Sequence, residues 1–372
     1  MSTPEDETQD ERAADDVPPV TREQYLEWRS PRLGASNPQR LDNPVWEWLV
    51  RSGMNAYQAN KAMDGPPALA AGPGWCFERF GRSTTALPDG RIVHVAGEHE
   101  DHYDPDFFIY NDVIVQRPDG AIEIYGYPRE AFPPTDFHSA TLVGDRIVIV
   151  GNLGYPRERR PGSTQVLVLE LATFAVAAVA TIGTPPGWIH DHAAVLADDG
   201  RSIVVTGGKL DRGGDEPLVE NIDEWRLHLA DWRWERLTER RWPRRAVRRV
   251  DGRGNHLWQL QQALWFRSVG WEKDLQAEIE RLVEATGRAP DLELASRLYS
   301  PAIAHTASGD DDSHDTIRIT VDGVIVRYVH TMGAVQMTVE GELPAATVDA
   351  LAEDLRAKLS ALENAPCEAR TL

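Results

Sequence analysis

The chain has 372 residues, 41% hydrophobic and 26% charged, with 39 Lys+Arg against 59 Asp+Glu and a formal net charge of −20. That length accommodates two domains, or one large domain with an appendage, and no apolar run reaches the ~18–20 residues of a membrane-spanning helix. A field of this sign repels nucleic acid and draws in basic partners, and two cysteines, Cys76 and Cys367, are too few for a disulfide framework or a Cys-rich zinc site.

Residues 1–20 hold seven acids against Arg12 alone and few bulky apolar groups. Such a tail cannot offset its ordering entropy, so it reads as disordered. It also lacks the basic start and apolar stretch of a signal peptide, and the expected location is cytoplasmic. Residues 21–74 turn helical. Asn43-Pro44 reads as an N-cap followed by proline at the first helical position, and Ala56–Met63 follows Gly53 as a second short helix.

From Trp75 the chain repeats itself. Asp89-Gly90-Arg91-Ile92-Val93, Gly144-Asp145-Arg146-Ile147-Val148 and Gly200-Arg201-Ser202-Ile203-Val204 place Arg91, Arg146 and Arg201 at intervals of 55 residues. Each is a tight turn feeding a β-branched strand that ends at glycine: Gly97, Gly151 and Gly207-Gly208. Repetition at this period is the signature of a propeller blade. Four short strands fit each repeat, the third and fourth as hairpins: Val113–Gln116 with Ala121–Tyr125, Gln165–Leu171 with Phe174–Ala180, Glu224–Leu229 with Trp232–Leu237.

Phe137-His138-Ser139-Ala140, His192-Ala193-Ala194, Gly207-Gly208 and a late Trp232 or Trp234 resemble the kelch motif of galactose-oxidase-like β-propellers. Tyr110-Asn111-Asp112-Val113 matches the approach to that motif's third strand. The resemblance covers residues 75–240 and departs from the motif at Gly97-Glu98 and Gly151-Asn152, where a second glycine is expected. It implies a mainly β fold of about three four-stranded blades, as a propeller or partial propeller, and protein recognition as the commonest use of the scaffold. Closed propellers take about four to eight blades. Three therefore leave the sheet open, covered by helices, completed by a half blade from Ala246–Val250 and His256–Gln262, or closed by a second copy of the chain, so a homo-oligomer stays open.

The repeat domain is expected to extend to residue 266. Arg236, Arg240, Arg241, Arg244, Arg245, Arg248 and Arg249 crowd one stretch around Trp242, which reads as a connector answered by nearby acids or as a phosphate-binding strip. Residues 267–372 read as an α+β domain. Trp271, Leu275, Ile279, Leu282 and Val283 mark a helix ending at Gly287, a three-stranded meander runs through Ile317–Val321, Val324–His330 and Val335–Val339, and a final helix starts at Pro344.

The loops joining second to third strands, Gly97–Ile109, Asn152–Ser163 and Lys209–Asn221, should share one face with the loops between repeats, and binding concentrates on such loops. Glu98, His99, Asp101, His102 and Asp104 lie on the first of them, and Asp136, His190 and Asp191 should project from the same face. Imidazole with carboxylate suits a divalent metal, with His99 and His102 as candidate ligands, or general acid–base chemistry. His138 and His192 read as core histidines hydrogen-bonded to neighbouring backbone. No cofactor motif, nucleophile elbow or phosphate loop is present. The expected function is the holding of a protein partner, which the net charge suggests is basic, on these loops, without catalysis. The alternative is a propeller enzyme, an acid–base isomerase or metal-dependent, acting on a carbohydrate or small polar molecule.

Overall fold

The computed structural model describes residues 20–66, 72–101, 104–214, 218–254, 257–268, 275–308, 316–331 and 333–372. The chain divides into two compact units, Met1–Glu239 and Arg240–Leu372. It is mainly β, and none of its helices among the described residues is long and apolar enough to cross a membrane. The acidic tail lies almost wholly outside the described residues.

The first unit contains three sheets that follow one another along the chain, each built on four antiparallel strands, the first and third extended by a short fifth strand. The first joins Ser83–Ala86, Ile92–Val95, Val113–Gln116 and Ile122–Gly126, and the second Ser139–Val143, Arg146–Val150, Val166–Glu170 and Val176–Ala178. The third joins Ala193–Leu196, Ser202–Thr206, Trp225–His228 and Arg233–Arg236. The initial strand of the second sheet lies beside those of both neighbours. Strand periodicity explains the stacking. Ile147 and Ile149 pack with Val93, Val95, Val113 and Val115 of the first sheet, whereas Val148 and Val150 pack with Ile203, Val205, Trp225 and Leu227 of the third. A strand covered on both faces is apolar at every position, which is why Ile147–Val150 shows no alternation.

The two ends of this stack differ. Ile114, Ile122 and Ile124 on the far face of the first sheet are covered by Tyr25, Val45, Trp46 and Leu49. These come from helices Arg22–Trp28 and Pro44–Ser52, the latter capped by Asn43 as its sequence foretells. Trp46 also stacks on Trp75, with ring centroids 4.8 Å apart. Helices thus cover this open sheet. The far face of the third sheet instead carries Arg226 and His228 paired with Glu235, at 3.7 and 2.8 Å.

Histidines tie sheet to sheet. His138 Nε2 bonds Ser83 Oγ at 2.8 Å, and His192 Nε2 bonds Ser139 Oγ at 2.9 Å. Phe137 N–H donates to the Gly81 carbonyl and Asp191 N–H to the Phe137 carbonyl. Gly81, Phe137 and Asp191 occupy one position of the repeat, each with positive φ. The core role read for His138 and His192 is what the contacts show, but the partner of each is a serine hydroxyl of the adjacent sheet and not the expected backbone.

The second unit departs from expectation. The boundary falls at 239/240, not 266/267, because Arg244–Arg249 is neither connector nor half blade. It pairs with Val335–Val339 on one side and Cys367–Thr371 on the other. The meander thus becomes a six-stranded sheet, and the described part of 256–262 is helical, within Leu257–Ser268. Arg245, Arg248 and Arg249 pair with Asp349, Glu368 and Glu363, at 2.9, 3.3 and 2.9 Å. Val348, Leu351, Leu355, Leu359 and Leu362 of helix Ala345–Glu363 pack on Val326, Tyr328, Val335 and Met337 of the sheet.

Candidate functional site

The segment expected as a charged loop after Gly97 is a β-hairpin, Glu98–Asp101 with Asp104–Ile109. Glu98 pairs with Ile109, His99 with Phe108 and Asp101 with Asp104, with an irregularity between His99 and Asp101. Phe80 bridges Glu98 through both backbone bonds, and Tyr155 Oη accepts the Ile109 N–H at 2.9 Å. The consecutive bulky residues Phe107, Phe108 and Ile109 are the strand signal beside the acids. Asp101 and Asp104 face each other toward the hairpin tip, and His102 lies outside the described residues.

Glu98, His99, Asp136 and His190 are all buried. Asp136 is fixed by two contacts. Its N–H donates to Asn152 Oδ1 at 3.0 Å, and its Oδ1 accepts the Gly154 N–H at 2.6 Å. Burial pushes the Asp136 carboxyl above its ordinary range, while Glu98, the Gly154 N–H and the Arg159 charge hold it back. Its second oxygen, Oδ2, is buried with no hydrogen-bond partner among the described residues.

His190 ends the short strand Trp188–His190, which pairs with Lys209–Asp211. Asp191 follows with φ 54°, so the chain turns there and His190 and His192 do not share a continuous strand face. Asp191 itself is exposed and pairs with Lys209 at 3.9 Å. Burial, reinforced by the charges of Lys209 and Arg159, brings His190 down to about 3, so its imidazole is neutral.

Sequence reasoning missed Arg159, Lys209, Asp211 and Asn152, which bind these residues together. Arg159 Nη1 donates to Asp211 at 3.1 Å and its Nε to the Leu153 and Gly154 carbonyls, between Asp136 and His190. Their only sequence signal was position: Asn152 and Lys209 directly follow Gly151 and Gly208, and Arg159 and Asp211 lie further along the same two segments. Among the described residues, no group of three or more His, Cys, Asp or Glu side chains forms a metal site.

No family model matches the chain, and no curated protein matches it. Among solved structures it is similar to one titled "Structure of YjhT", at 14% identity and a TM-score of 0.34, over 44% of this chain. The chain spans 56% of that structure's length.

Proposed function

We propose that the first unit is a kelch-like partial propeller of three blades that holds a protein partner at the end of its sheets. The observation that carries this reading is a pair of exposed aromatics beside a hairpin pinned at its base. Phe80 is 57% and Phe107 45% exposed, on either side of strand Glu98–Asp101. Phe107 leans edge-on against Tyr155, whose hydroxyl holds the hairpin backbone. Pre-ordered aromatics lose little entropy on binding and are the usual interface anchors. The formal charge of −20 favours a basic partner in the cytoplasm. Native mass spectrometry of the protein isolated gently from its cells should show a stoichiometric protein adduct. The Phe80→Ala/Phe107→Ala variant should bind that partner at least about tenfold more weakly at unchanged melting temperature. Full affinity in that variant defeats the reading.

A second reading rests on the buried Glu98–Asp136 pair, which is equipped for acid–base chemistry on a small polar molecule such as a carbohydrate. It requires Glu98→Gln to remove turnover of any substrate found for the protein. Undiminished turnover eliminates it.

A further inference from the structure

A second polar group lies on the three-stranded sheet formed by Trp188–His190, Lys209–Asp211 and Val219–Glu220. His190 is directly opposite Lys209, and Trp188 opposite Asp211. Directly paired residues share a sheet face, so all four side chains rise on one side. His190 is 4% exposed, and neither ring nitrogen has a hydrogen-bond partner among the described residues. Each unsatisfied buried polar group costs about 1–3 kcal/mol, so a side chain left this way needs an explanation.

Its neighbours indicate what would satisfy it. The Lys209 side chain is 31% exposed, and its contact with Asp191 stretches to 3.9 Å, at the outer limit of an ion pair. The Asp191 side chain is 57% exposed, so the pair is loosely held. Arg159 lies beyond, its charge balanced by Asp211 at 3.1 Å. Lys209 and Arg159 are the stronger charges at the ring; Asp211 is held by Arg159, and Asp191 and Glu220 lie beside Lys209, whose ammonium has no ion pair shorter than 3.9 Å among the described residues.

We propose that His190 and Lys209 form a binding site for an oxyanion, the carboxylate or phosphate group of a small molecule. One ligand oxygen accepts the N–H of the neutral imidazole and another accepts from the Lys209 ammonium, satisfying the buried N–H and compensating the charge together. A cationic ligand meets Lys209 and Arg159 with the same sign. A neutral ligand leaves the ammonium as it was. The charged and titratable groups facing His190 are Lys209, Arg159, His192 and Asp211. An added anion opposes the first two and makes the imidazole easier to protonate. This inference does not depend on the protein-partner reading.

The test is to titrate the full chain with inorganic phosphate and, separately, with acetate, following the His190 ring resonances by NMR. A saturable shift is expected, with binding about tenfold weaker in Lys209→Met, the loss of one charge-assisted hydrogen bond. Lys209 is partly exposed, so this variant keeps the fold, and Lys209→Arg should retain binding. A response to both anions identifies a carboxylate-type site, and one to phosphate alone a phosphate site. No saturable response to either, or a response unchanged in Lys209→Met, overturns the proposal.

Discussion

Arg79 illustrates what a single buried charge demands. Its side chain is 0% exposed, and its Nη2 lies 3.0 Å from Asp112, whose other donor is the Trp75 indole at 2.8 Å. The guanidinium also lies over the Tyr110 ring, 3.5 Å from its centroid. Removing one partner of such a pair strands the other, so Asp112→Ala should cost about 3–5 kcal/mol in urea unfolding. A loss below about 1 kcal/mol would show that water reaches Arg79. The buried histidines make a separate prediction. His94 and His192 are held down to about 4, His138 and His190 to about 3, each chiefly by burial. Their folded values lie below the unfolded one of about 6.5, so the stability they confer is present above it and is lost as pH falls toward 3–4. Each group adds up to about 1.4 kcal/mol per pH unit in that window. The urea midpoint should therefore drop between pH 7 and 5, and a flat profile would contradict neutral burial. Asp136 has the opposite sign, because its raised value favours folding at lower pH.

Among elements, the links between sheets run in one direction and stop. Ser83 receives His138 and Ser139 receives His192, but the third sheet has Ala193 at that position, and the first begins with Arg82 where the others have histidine. Ser139→Ala should cost about 1–2 kcal/mol by leaving His192 unpaired. Ala193→Ser, at an exposed position, should stay within about 0.5 kcal/mol. Equal effects in thermal melts would mean that the hydrogen bond does not hold the sheets. The turns and glycines of the repeats were legible because they act locally. Gly90, Gly144 and Gly200 all adopt positive φ, and Asp89 and Asp199 each accept the N–H two residues on. The serine–histidine links were not legible, since their partners stand 55 and 53 residues apart. The hairpin after Gly97 was hidden by its acids, which mimic the composition of a loop.

For the whole molecule, the boundary was the part the sequence concealed most. Arg244–Arg249 has only Ala246 and Val247 as apolar residues, and apart from Asp251 its compensating acids lie more than a hundred positions later. Nothing local marks it as an interior strand of a six-stranded sheet. A chain of residues 240–372 should accordingly unfold cooperatively. Residues 267–372, which lack that strand, should show no transition by circular dichroism, because Val335–Val339 and Cys367–Thr371 lose the strand that joins them. Cooperative unfolding of the shorter chain would place the division where composition suggested. The site was legible in part. Glu98, Asp136 and His190 came from residue type and repeat position, whereas Arg159 and Lys209 are tied to them by backbone carbonyls and strand pairing, which leave no trace in spacing.

The outermost strand of each repeat sheet does not stand bare. Gln39–Arg40 pairs with Ile122–Gly126 and Ile182–Gly183 with Arg233–Arg236. On the second sheet a single side chain does the same work: the Asn37 amide donates to the Val176 carbonyl at 2.7 Å and accepts its N–H at 2.9 Å. Open β-edges are templates for further strands, and chains that leave them bare are prone to join edge to edge into insoluble assemblies. These short segments therefore act as blocking groups that occupy the backbone positions a further strand would need.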